Sequence, residues 1–415
     1  MSAAKPDLVM FTGTFPHGGE AVLGAEIAVT AVHFERVFLI PSHPGPKTEE
    51  LPANVELVHL WRRADRSRTA KRGAVRTALA LEILGRTLRH PSNWRSYAAS
   101  ARFYLDVLAE GLLRAMALRA WVEENGLGDA VFYDFWFENS TLALAVLRRL
   151  GTIRCAVSRA HGFDVFDSRW GGKGRVPFRE FKAENLDAVF AVSEDGARYL
   201  QGKFGPHAGK VRLSRLGIPA SPGVPEGAAD PPLVVSCSAL RPDKQVRAIP
   251  EVLRACDRPL RWVHFGDGPE RRRVEEAAAA LPARVTWELR GTIENAAVRR
   301  FYATEPVSAF LSMSRAEGVP ISMMEAQSAG IPIVALSVGG VPEIVAPETG
   351  VLLAPDAEPG TAAAALGMAV APASFDHERI RAAFASRYEA AANYRGFASA
   401  LLEAWSTAGS AAHAE

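Results

Sequence analysis

Apolar positions along the chain fall into two alternating patterns. Short apolar runs, such as DLVMFTG at 7–13 and RVFLIP at 36–41, end in glycine or proline and predict buried strands. AVLGAEIAVTAVHF at 21–34 instead spaces its apolar residues at helical intervals. Further strands are expected at VELVHL (55–60), DAVFYDF (129–135), RCAVSR (154–159), DAVFAVS (187–193) and KVRLSRLG (210–217), with long helices over 73–90 and 97–125. Residues 218–232, IPASPGVPEGAADPP, read as a linker because Pro, Gly and Ala dominate them. The alternation then restarts, with strands at PLVVSCSAL, LRWVHFG, RVTWELRG, VSAFLSMS, IPIVALS and GVLLAP. Strands alternating with helices build parallel sheets covered on both faces. The expected fold class is therefore α/β, with Rossmann-like domains over 1–217 and 233–389 and a C-terminal helix over 390–408.

Composition agrees with two cores: 415 residues, 48% hydrophobic and 23% charged. The start, MSAAKPDLVMFTGTFP, lacks the pattern of a secretory leader, and no apolar run is long enough to span a bilayer. Cys155, Cys237 and Cys256 lack metal-ligand spacing and read as buried thiols of a reducing compartment. A cytoplasmic location is expected, with no metal and no cofactor. The net charge is only +2, yet residues 61–102 hold eleven Lys or Arg against two acids. That stretch reads as a solvated face, as a contact for an anionic membrane surface on its inner face, or as a seat for a phosphate-bearing acceptor. Nucleic acid is not expected, since no recognition motif accompanies the charge.

Candidate chemistry concentrates in SRAEGVPISMMEAQSAGIP, residues 314–332. A strand ends near Ser314, so Glu317 falls in the loop beyond a strand's C-terminal end, where open α/β sheets bind ligands. Pro320 suits a first helical position, and Gly330 with Pro332 closes the helix. Its N-terminus, with Val319, Ile321 and Ser322, presents N–H groups suited to phosphate. Glu325 lies about 7.5 Å further along the axis, far enough to accept from a ribose diol. A solvated Glu325 beside a loop Glu317 is the plainer alternative.

The motifs Glu-Gly-x-Pro, Glu325-Ala326, Gly330-Ile331-Pro332-Ile333 and VGGVPEIV (338–345) together resemble the signature of retaining GT-B glycosyltransferases, group 1, family 4. FPHGGEAVLGAEI, SRAHGFDVF, LVVSCSALRPDKQ, WVHFGDGPE and LRGTIENAAVRRFY extend the resemblance over most of the chain, nearest to enzymes of bacterial polysaccharide assembly. It implies a GT-B architecture, with two Rossmann-like domains facing across a deep cleft and the C-terminal helix packing back on the first. It further implies transfer from a nucleotide-sugar donor to an acceptor sugar or lipid-linked saccharide. By the same resemblance His161, Lys244 and Glu317 are catalytic candidates. Gly18, Gly19, Arg241, Ile293, Gly318, Val319, Ile321, Ser322 and Glu325 join Lys244 as donor contacts. The family arginine five residues before the lysine is replaced by Ala239, and Arg241 is its candidate substitute. HFGDGPE (264–270) lacks the third glycine of a dinucleotide fingerprint and reads as a tight turn. The expected reaction is retaining and metal-independent. A sugar phosphorylase or epimerase on the same fold, and a silent paralogue serving as an assembly partner, are its rivals.

Overall fold

The computed structural model describes residues 5–16, 22–45, 50–63, 70, 73–74, 77–89, 91–168, 175–225 and 227–412. The chain divides into two compact units, Met1–Leu216 with Asn393–Glu415, and Gly217–Ala392.

In the first unit the strands are β1 (Leu8–Phe15), β2 (Val37–Pro44), β3 (Val55–Leu57), β4 (Val131–Asp134), β5 (Cys155–Ala160), β6 (Ala188–Ala191) and β7 (Val211–Leu213). They form one parallel sheet in the order β3-β2-β1-β4-β5-β6-β7. Helices cover both faces, which is why β4 and β5 are buried at every position. The helix Ala101–Asn125 turns Tyr104, Leu108, Leu112 and Leu118 inward and ends where Gly126 takes φ 64°. It lies close against Asn139–Arg149, since a Cβ at Gly111 would stand 2.6 Å from Leu142 Cδ2.

The expected helix 97–125 is two helices, Pro91–Ala99 and Ala101–Asn125, broken at Ser100 (φ −130°, ψ 30°). Tyr97 and Tyr104 stack at 3.7 Å between ring centroids. Seven residues along a straight helix would separate them by about 10.5 Å, so the stack requires the bend.

The second unit repeats the plan with β8 (Leu233–Cys237), β9 (Leu260–Phe265), β10 (Val285–Leu289), β11 (Val307–Ser312), β12 (Ile333–Leu336) and β13 (Gly350–Leu353). Their parallel order is β10-β9-β8-β11-β12-β13. The winding direction reverses between β1 and β4 in one sheet and between β8 and β11 in the other. Such switch points open a crevice at the strands' C-terminal ends.

The stretch expected as a linker belongs to the second unit. Ile218 donates to Tyr388 O at 2.9 Å and accepts from Ala390 N at 3.0 Å, which fixes its end in place. The last helix, Ala390–Ala412, returns to the first unit, burying Tyr394, Phe397 and Leu401. Phe397 meets Tyr133 edge to face at 5.0 Å. Among the described residues no helix is long and apolar enough to cross a membrane.

Candidate functional site

The loops after β8 and β11 flank the switch point of the second unit and bring two predicted residues together. Lys244 Nζ donates to Glu317 Oε2 at 2.7 Å, with side chains 17% and 9% exposed. Backbone bonds hold this pair in place. Arg315 N donates to Asp243 O at 2.9 Å, joining the two loops, and Lys244 N donates to Arg241 O at 3.0 Å, closing a turn. Gln245 completes that turn at φ 47°.

The helix after Glu317 runs Ile321–Ser328, with Pro320 as its cap residue rather than its first helical residue. Pro320 offers no side-chain cap, so the first-turn N–H groups of Ile321 and Ser322 face outward without an intrahelical acceptor. Gly330 follows the helix at φ 79°. Gly318 O accepts from Gly340 N at 2.8 Å. A Cβ at position 340 would stand 2.3 Å from that oxygen, which is the structural reason for glycine in VGGVPEIV. Val319 and Gly318 are half-buried on the same loop.

Glu325 is 4% exposed, one turn below this N-terminus. Asn295 Nδ2 donates to its Oε1 at 2.5 Å. Burial pushes its pKa up to about 7, against the Asn295 hydrogen bond and the Arg299 charge. The site thus presents a paired cation and anion, a helix N-terminus and a buried carboxyl in one crevice. That set can hold a phosphate between two polyhydroxylated groups.

Other predicted residues fall differently. Gly18 and Gly19 lie outside the described residues. Arg241 is turned onto Asp243, at 3.0 and 2.7 Å, and its side chain is 55% exposed. Its charge is shared with the Asp243 carboxylate. Ile293 is half-buried in the loop before the helix Asn295–Thr304. Gly266 and Gly268 take φ 130° and 159°, and a Cβ on Gly266 would stand 1.9 Å from Ser238 O, as a tight turn requires.

His161 belongs to the first unit, directly after β5. Its N–H donates to Asp164 Oδ1 at 2.5 Å, and Asp164 Oδ2 accepts from Phe137 N at 2.8 Å. Trp136 packs on the imidazole at 4.3 Å between centroids. Both ring nitrogens are buried without a hydrogen-bond partner.

Several polar groups escaped the sequence reading. Asn295 was one, because its bond to Glu325 spans thirty residues of chain. Fully buried Arg159 lies beside Glu26 at 3.5 Å and donates to Tyr133 at 3.1 Å, while Tyr133 donates to Glu26 at 2.7 Å. A lone arginine inside an otherwise apolar strand was the available signal. Asp134 closes β4 at the first unit's switch point, and burial lifts its pKa to about 7 against a Thr141 hydrogen bond. Lys182 is buried nearby, donating to Phe137 O at 3.0 Å, with its pKa pushed down to about 8 by burial. No group of three or more His, Cys, Asp or Glu among the described residues could hold a metal ion.

Residues 232–370, which supply Lys244, Glu317 and Glu325, match the model of the family described as glycosyl transferases group 1. The second unit carries a group 1 domain. The chain is also 27% identical over 231 residues to the putative colanic acid biosynthesis glycosyltransferase WcaL of Escherichia coli (strain K12), covering 53% of this chain and 56% of that protein. Matches to curated relatives span 24% to 56% of those proteins. Sucrose-phosphate synthase from Thermosynechococcus elongatus superposes with a TM-score of 0.70 at 17% identity, over 97% of this chain and 100% of that one. Anabaena HepE in complex with UDP-glucose gives 0.63 at 16%, over 96% and 100%. These likenesses extend beyond the group 1 domain to both units and make the fold GT-B.

Proposed function

We propose that the protein is a retaining glycosyltransferase that moves a sugar from a nucleotide-sugar to a hydroxyl acceptor. The observation that carries this reading is the Lys244–Glu317 pair beside the N-terminus of Ile321–Ser328, with Glu325 buried one turn further on. In the free protein each ion satisfies the other. An arriving diphosphate offers Lys244 a better partner, and Glu317 is then released to accept from hydroxyls of the donor sugar. Lys244 and the helix N-terminus stabilise the charge that grows on the diphosphate as the glycosidic bond breaks, a task otherwise given to a metal. Glu325 accepts from the ribose diol, and Asn295 orients it. The family resemblance assigns His161, after β5 in the first unit, to a sugar hydroxyl. Departure and attack take place on one face, giving an α-link from an α-donor.

The names of relatives support a role in polysaccharide or glycolipid assembly. WcaL is named for colanic acid biosynthesis, and WaaB, of similar fold at 14% identity, is a lipopolysaccharide outer core galactosyltransferase. The acceptor in this reading is a sugar or a lipid-linked saccharide, with the basic stretch 61–102 against an anionic membrane surface and the enzyme on its cytoplasmic side. The test is transfer from UDP-, GDP- or ADP-sugars to simple glycoside acceptors, with the product's anomeric coupling read by NMR. An α-product from an α-donor supports the reading. A β-product overturns retention, and sugar 1-phosphate formed only with phosphate would make the protein a phosphorylase.

A further inference from the structure

The exterior of the helices between 78 and 105 is not explained by transfer. Ala78–Leu88, Pro91–Ala99 and the start of Ala101–Asn125 frame a groove of about 500 Å³ lined by Leu84, Leu88, Trp94, Tyr97, Tyr104 and Leu105. That volume is in the range of small-molecule sites, about 300–1,000 Å³. The tyrosine hydroxyls are already engaged, by Phe178 N at 3.0 Å and Arg175 O at 3.1 Å, so the lining is apolar in effect. Trp94 is 58% exposed, and its ring N–H is held by Leu88 O at 2.6 Å. Leu88 and Leu105 at the rim and Leu81 beyond it are exposed as well.

Exposed cations predominate beside the groove, although the exposed acid Asp106 follows Leu105 and Glu180 and Asp167 lie near Tyr97 and Tyr104. Arg89 follows Leu88, Arg95 follows Trp94, and Arg102 lies one turn before Leu105. All three are exposed and make no ion pair among the described residues. Arg86, by contrast, is paired with Glu82 and Glu184. Glu82 is the one acid between 78 and 105. An apolar groove fits any hydrocarbon, but unpaired guanidiniums around it select one that carries anionic groups. A fixed, exposed indole beside arginines also suits the boundary between headgroups and chains of a bilayer.

We propose that this face seats on an anionic bilayer, with an acyl chain of an anionic phospholipid entering the groove beside Trp94. The proposal deepens the membrane part of the functional reading, and its test uses neither donor nor acceptor. Its failure therefore leaves the transfer reading standing, and failed transfer leaves it untouched.

The experiment is co-sedimentation of the full chain with vesicles of phosphatidylcholine alone or with added phosphatidylglycerol, at low and high salt. Binding is expected only with phosphatidylglycerol, and weaker at high salt. Each arginine among 89, 95 and 102 changed to Gln should lose about fivefold in partition, and the triple variant on the order of a hundredfold. Acyl chains carrying bromine should quench tryptophan emission in wild type, and Trp94→Phe should lose most of that quenching. Leu105→Glu, at a second exposed position, should weaken binding independently. Arg272→Gln, in the other unit with its side chain 84% exposed, should change nothing. Equal partition into both vesicles, or quenching unchanged in Trp94→Phe, overturns the proposal. Absence of binding to either vesicle also overturns it and leaves the groove to a protein partner.

Discussion

Replacing Lys244 by Met removes the cation from a carboxylate 2.7 Å away whose side chain is 9% exposed. At that distance, with an effective dielectric constant of about 20, the gross attraction is about 6 kcal/mol. Desolvating the two ions takes back several kcal/mol. A net coupling of about 1.5–3 kcal/mol remains, and it is read from a double-mutant cycle of Lys244→Met, Glu317→Gln and the double variant. Lys244→Met alone should destabilise by about 3 kcal/mol, because it removes the close cation from a buried carboxylate, and the double variant should recover part of that loss. The assay is urea unfolding followed by tryptophan fluorescence, with and without saturating nucleoside diphosphate. With ligand the coupling should shrink, since Lys244 then has a second anion to meet. A coupling below about 0.5 kcal/mol without ligand would mean the pair is solvated in effect. That result would refute the view of a preformed ion pair waiting for a diphosphate.

Glu325 has a folded pKa near 7, above the usual 4.5, so the folded chain holds a proton that the unfolded chain has released. Stability should therefore fall as pH rises from 4.5 to about 7, by about 3 kcal/mol in full, and Glu325→Gln should remove that part of the slope in urea titrations. Binding to a ribose diol favours the carboxylate, so nucleotide-sugar affinity should tighten up to about tenfold between about pH 6 and pH 8 in wild type, and not in Glu325→Gln. Asn295→Ala removes the 2.5 Å hydrogen bond on that carboxyl and should weaken nucleotide binding by about tenfold while raising the Glu325 pKa further, both measurable by calorimetry at several pH values. Gly340→Ala places a Cβ 2.3 Å from Gly318 O and should cost about 1–3 kcal/mol of stability and most nucleotide affinity, by displacing the loop that carries Glu317.

The positions of the strands along the chain were legible because the central apolar runs are buried on both faces, as in β4 and β5. Glu317 and Glu325 stood out because glycine and proline around them fix a loop and then a helix. The pairing of Lys244 with Glu317, and Asn295 altogether, were not legible, because these contacts join distant segments that local pattern does not connect. The break at Ser100 carries no proline or glycine and is set by Tyr97 stacking on Tyr104, a tertiary cause. Arg241 was placed by analogy of position, and its ion pair with Asp243 two residues on was not part of that reading. The stretch 218–232 has the composition of a tether, but the two backbone bonds at Ile218 tie it down.

The central claim is that the crevice at β8 and β11 binds a nucleotide-sugar through Lys244, Glu317 and Glu325. A thermal-shift panel of UDP, GDP, ADP and their sugars, on wild type and Glu325→Ala, tests it most directly. A ligand at a hundred times its dissociation constant adds about 2.7 kcal/mol, which a melting curve resolves. One nucleotide series should raise the melting temperature of wild type and leave Glu325→Ala unmoved, which would also name the base. No shift with any nucleotide, or an equal shift in both proteins, would contradict the account.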